Sequence, residues 1–163
     1  MVAAMHRRVL LPLVAVIAAL AVPAAAQACP DRALEHPFAQ WGDDGSYFQV
    51  PGGNVELAHG DSATTEPVCV DLDSPTLRFF VRDEGGLLGT LRVDALIDGV
   101  PLPVPVGVVT GLLTGDEWQP SPTFLALANL LPGDQQVAFR FTAGGLGSAF
   151  AIGDVWVDPY SKG

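Results

Sequence analysis

The chain reads as an all-β protein, a two-sheet antiparallel jelly-roll sandwich, and three observations predict it. Short runs such as Thr76 to Arg82 and Val137 to Thr142 alternate apolar and polar side chains with a period of two. Clusters of Gly, Pro and Asp punctuate these runs at short intervals, as turns between strands require. No stretch beyond the N-terminal leader carries the 3.6-residue apolar period of a helix. The expected body is a single domain over residues 29–163.

Residues 1–28 read as a signal peptide. His6-Arg7-Arg8 supplies the positive start, Val9 to Val22 the apolar core, and Ala26-Gln27-Ala28 a small-x-small cleavage site. The apolar run is too short for a membrane span, so none is expected after processing. The expected location is secreted or extracellular, including the cell wall. A lipid on Cys29 is the lesser reading, because Ala26 and Gln27 stand where a lipobox has Leu and a small residue. Arg7 and Arg8 leave with the leader, so six basic side chains face 18 acidic ones, a formal net charge of −12. Such a surface has no basic patch to release phosphate counterions, which excludes ordinary nucleic-acid binding, and it disfavours anionic membranes.

Cys29 and Cys69 are the two cysteines of the chain. An exported protein with an even count is expected to bridge them, tying a loose N-terminus to the strand near Val68. Between them lie short strands at Tyr47 to Val50 and Asn54 to Ala58, with turns at Trp41 to Gly45 and Pro51 to Gly53. Asp61 to Pro67 reads as a solvated polar connector, followed by a short strand at Val68 to Asp71.

Thr76 to Arg82 places Leu77, Phe79 and Val81 inward, with Arg78, Phe80 and Arg82 opposite. Leu87 to Leu96 repeats the pattern with Leu91, Val93 and Ala95 inward and Arg92 and Asp94 outward, so the two runs read as an antiparallel hairpin with a solvated outer row. Phe80 is the residue on that row that needs cover. Ile97 to Val109 carries prolines at alternate positions and reads as an edge strand or extended loop. Leu112 to Thr114 reads as one more short strand, Trp118 to Pro122 as an aromatic turn, and Thr123 to Leu131 as a strand. Val137, Phe139 and Phe141 share the core face of the next strand. In the last strand Phe150 and Ile152 are out of phase with Val155 and Val157, and a bulge at Gly153 and Asp154 reconciles them.

The mature sequence resembles an uncharacterised family of secreted actinobacterial proteins. The resemblance is carried by Cys29-Pro30, the PFxxWGDxxxYxxxPGGxxE run from Pro37 to Glu56, the CVxLxxPTLRFFVR run from Cys69 to Arg82, the WQPSP run from Trp118, and the FRFT and VWVDPY segments near the end. It implies a jelly roll similar to galactose-binding-like domains, bridged cysteines and no established activity. The chain departs from the pattern after Glu56, where it is shorter, and at Gly153-Asp154, where two acids are usual. Domains of that kind often join an early and a final strand through calcium, which would fall at Glu56 and Asp154 with help from Asp61 or carbonyl oxygens. No other cofactor is implied.

Catalysis is not expected. His36 and His59 lie in turn-rich segments without a nucleophile, the Gly-x-Ser-x-Gly motif is absent, and the glycines from Gly144 to Gly147 lack the lysine of a phosphate loop. Two noncatalytic functions remain. One is a structural or interaction protein of the cell envelope, with an envelope or extracellular partner. The alternative is an extracellular carbohydrate-binding-like module, with Trp41, Tyr47 and Trp118 as candidate stacking residues for a glycan. Burial of both tryptophans favours the first, and exposure of both on one side favours the second.

Overall fold

The computed structural model describes residues 29–71, 76–125 and 133–158. The expected signal peptide and most of the strand expected over Thr123 to Leu131 lie outside the described residues. The strands are β1 (Phe48–Val50), β2 (Val55–Ala58), β3 (Ser62–Thr64), β4 (Val68–Val70), β5 (Thr76–Asp83), β6 (Gly89–Ile97), β7 (Val104–Thr110), β8 (Gln119–Pro120), β9 (Phe124–Leu125), β10 (Gln135–Gly145) and β11 (Ala149–Asp158). A six-stranded sheet runs β1-β11-β5-β8, with β2 also on β11 and β9 also on β5. A five-stranded sheet runs β3-β10-β6-β7, with β4 also on β10. Neighbouring strands are antiparallel, and the fold is a two-sheet jelly-roll sandwich.

The alternating residues form the core as expected. Leu77, Phe79, Leu91, Val93, Val137, Phe139 and Phe141 are all buried. Phe79 meets Phe141 edge to face across the two sheets at 5.0 Å between ring centres. The partners of the strands differ from expectation. β5 and β6 form no hairpin, because β5 pairs with β11 in one sheet and β6 pairs with β10 in the other. The turn between them crosses the sandwich, as does the glycine turn between β10 and β11. Both arrangements bury the same alternate residues, so periodicity cannot separate them. The two crossings abut: a Cβ on Gly85 would lie 2.2 Å from the Gly147 carbonyl oxygen, so the β5–β6 turn tolerates no side chain there.

Three local expectations are corrected. Part of the Asp61 to Pro67 connector is β3, paired with β10, and the buried Thr65 hydroxyl accepts a 3.0 Å bond from the Phe139 N–H. Leu112 to Thr114 is a turn, with the Leu113 N–H bonded to the Thr110 carbonyl. Gln119–Pro120, placed in a turn by sequence, is a short strand beside Phe80 and Val81. Asp94 is also not solvated. Its carboxylate is 6% exposed and takes two bonds from the Arg92 guanidinium, at 2.9 and 2.7 Å.

The bulge lies where the phase reversal required it. The β5–β11 register shifts between Gly153 and Val155, and Asp154 has φ of +36°. Ile152 and Val155 thereby both reach the core, and Trp156 turns to the outer face. Cys29 and Cys69 are bridged, and the Cys29 N–H donates to Asp134 at 2.8 Å.

Candidate functional site

The outer face of the six-stranded sheet is where the side chains expected to bind are gathered. Alternation along β5 points Arg78, Phe80 and Arg82 to this face, and the bulge adds Trp156 from β11. The segment before β1 lies over them. Glu35 bridges Tyr47 through paired backbone bonds of 2.8 Å, and a single 3-10 turn, Ala39–Trp41, sets Phe38 and Trp41 beside Phe80. The Phe38 and Trp41 ring centres lie 5.1 and 5.2 Å from that of Phe80. Phe80 therefore has the cover its position demanded, while Trp41 stays 44% exposed.

A charged knot fastens this cover. Asp43 accepts from the Tyr47 hydroxyl at 2.7 Å, from the Gly45 N–H at 2.9 Å and from Arg78. The Arg78 guanidinium also lies 4.4 Å from the centre of the Phe38 ring. Burial opposes ionisation of Asp43, but the bonds from Tyr47, Gly45 and Arg78 outweigh it and hold the carboxyl below its usual value of 3.8. Burial, and then the bond to Asp43, push the Tyr47 phenol up to about 12.

Tyr47 is consequently not a stacking residue. It is 3% exposed and meets Phe38 edge to face at 5.0 Å, so neither ring face is open to a ligand. Trp118, by contrast, is 45% exposed. Its six-membered ring rests over Gly153, where an added Cβ would come within 3.2 Å, and the Arg82 guanidinium lies 5.1 Å from its centre. Gly153 is opposite Phe80 in the ladder, so the supports of the two tryptophans are neighbours on adjacent strands. Beside Trp118 an open recess of about 410 Å³ is lined by Asn54, Val55, Glu56, Ala151 and Ile152. Sequence reasoning set Arg82 on the outer row without an aromatic partner, and it missed Asn54 and Gly153 as parts of this face.

Of the acids expected to hold calcium, Asp154 is taken up by side-chain amides. The Asp154 Oδ1 accepts from Gln49 Nε2 at 2.9 Å and Asn54 Nδ2 at 3.3 Å, and its N–H donates to Asn54 Oδ1. Amide donors face the carboxylate, whereas calcium needs six to eight oxygens. Asp61 accepts from the Ala58 N–H in its own turn. Among the described residues, the acid, His and Cys atoms that converge are those of Cys29, Cys69 and Asp134, and both sulfurs there are bridged. No thiol is left as a nucleophile. The His36 Nδ1 lies 3.1 Å from the carbonyl oxygens of Asp44 and Gly45.

No protein-family model and no curated protein matches the chain. Among solved structures, a family 29 carbohydrate-binding module is 15% identical, with a TM-score of 0.37 over 71% of this chain and 80% of that one. A carbohydrate-binding module from Cellvibrio mixtus lichenase 5A, solved with cellotriose, is 16% identical, with a TM-score of 0.32 over 70% of each chain. A structure of infectious bursal disease virus is 9% identical, with a TM-score of 0.41 over 74% of this chain and 34% of that one. No ligand and no residue role is carried over from them.

Proposed function

We propose that the protein is a noncatalytic carbohydrate-binding-like module whose glycan site is the outer face of the six-stranded sheet. One observation carries the reading: Trp41 and Trp118 are both half-exposed on that face, their supports adjacent across β5 and β11. Burial of both rings would have favoured the structural envelope reading instead. Exposed indole faces stack on the C–H face of a pyranose ring, and each such contact removes apolar area from water at both partners. Glu56 and Asn54 line the recess, and Arg82 lies against Trp118, as acceptors and donors for sugar hydroxyls. Trp41 is packed on Phe80 and Trp118 on Gly153 without a ligand, so little ordering is needed on binding.

A glycan array on the purified protein tests this, with Trp41→Ala and Trp118→Ala alongside. Wild type is expected to enrich a neutral glycan class, and each variant to lose at least about tenfold in affinity, corresponding to the 1.4 kcal/mol scale of one lost ring contact. No enriched glycan at high protein concentration would return the protein to the structural or interaction reading.

A further inference from the structure

The end of the sandwich holding the two crossing turns exposes five leucines. Leu87 and Leu88 lie between β5 and β6, Leu112 and Leu113 between β7 and β8, and Leu146 between β10 and β11, each from 66% to 80% exposed. Backbone bonds tie these loops side by side: the Gly86 N–H donates to the Gly147 carbonyl, and the Gly111 N–H to the Gly89 carbonyl. The Leu88 carbonyl presses on Gly145, where a Cβ would come within 2.3 Å. Scattered exposed apolar residues are ordinary, but five of the largest aliphatic kind on three joined loops are not.

A second observation stands beside them. The sandwich is open between its edge strands β7 and β8, leaving a cleft of about 280 Å³ whose mainly apolar lining includes Val81, Val109, Leu113 and Pro120 beside the polar Gln119 and Ser121. Val81 is a core residue, so the cleft reaches inward from the leucine-bearing end.

Charge narrows what covers this end. Residues 84–88, 111–118 and 145–148 contain three acids, Glu84, Asp116 and Glu117, and no Lys, Arg or His. Anionic lipid is therefore repelled, and a two-fold contact with a second copy would set the same acids against each other. Leucines spread over separate loops suit an apolar phase that yields around them, and a narrow, mainly apolar cleft beside them suits a hydrocarbon chain. We propose that this end inserts into the acyl region of a zwitterionic lipid surface, with the β7–β8 cleft open to one acyl chain. The attachment is interfacial. It is independent of the glycan reading.

Flotation with phosphatidylcholine vesicles tests the proposal, using wild type, L112S/L113S/L146S and L87S/L88S. All five positions are exposed, and unchanged urea unfolding checks that both variants fold. Wild type is expected to float, with no gain when phosphatidylserine is added, and each variant to bind at least about tenfold less from the lost apolar burial. Glycan binding by both variants is expected to match wild type. Absence of flotation, equal flotation of the variants, or binding only with phosphatidylserine overturns the proposal. So does self-association in sedimentation equilibrium that the leucine variants abolish, which assigns this end to a second copy.

Discussion

Phe79 and Arg92 show how differently an inward and an outward side chain are held. Phe79 has no exposure and touches rings from the opposite sheet and from Phe124, so Phe79→Ala is expected to cost about 3 to 5 kcal/mol in urea unfolding. Arg92 is half-exposed, and by alternation alone its loss would be nearly silent. It nevertheless covers the buried Asp94 carboxylate. Arg92→Ala is therefore expected to cost about 1 to 3 kcal/mol, the desolvation penalty of an orphaned acceptor. Asp94→Asn in that background should recover part of the loss; equal stability of R92A and wild type would show the pair to be idle. The inward row was legible because burial follows period two. The Arg92–Asp94 pair was not, because partners two residues apart on one strand give no signal in an alternating pattern.

At the level of elements, the segment before β1 is held down by Asp43, Tyr47 and Arg78, and this gives a pH dependence. Asp43 has a lowered pKa in the fold, so its contribution is complete above the unfolded value of 3.8 and is lost as pH falls through the folded one. Tyr47 is raised to about 12, so its contribution is complete below the ordinary value of 10 and is lost as pH rises through 12. Asp43→Asn should flatten the acid limb and Tyr47→Phe the alkaline limb of a stability profile followed by near-ultraviolet circular dichroism. A wild-type acid limb retained in D43N would mean that other carboxylates govern it. The final strand makes a separate prediction. Since Asp154 is taken up by Gln49 and Asn54, thermal unfolding in excess calcium and in excess chelator is expected to coincide. A rise in Tm with calcium that Asp154→Asn removes would restore the metal site.

Across the whole molecule the two ends of the sandwich have opposite characters. The Cys29–Cys69 bridge sits where β4 meets the start of β10, and the leucine loops sit where β10 ends. A bridge between residues 40 apart restricts the unfolded chain, and C29S/C69S is expected to lose about 2 to 4 kcal/mol. Urea unfolding of that variant beside reduced wild type measures it; agreement between the two and a gap to the oxidised protein is the expected result.

The sequence by itself determined which alternating apolar residues are buried, where the edge strand and the bulge fall, and that Cys29 and Cys69 are partners. These follow from local rules: alternation, proline's missing donor, a phase reversal at Gly153-Asp154, and a cysteine count of two. Only the tertiary structure decided that β5 and β6, like β10 and β11, belong to opposite sheets, since the same face is buried either way. It also decided the fates of the aromatic residues between strands. Tyr47 and Trp41 are six residues apart in one turn-rich run, yet one is sealed by Phe38 and Asp43 and the other remains half-exposed over Phe80. The physical reason is that a loop side chain takes its environment from strands distant in sequence, and neither propensity nor periodicity carries that distance.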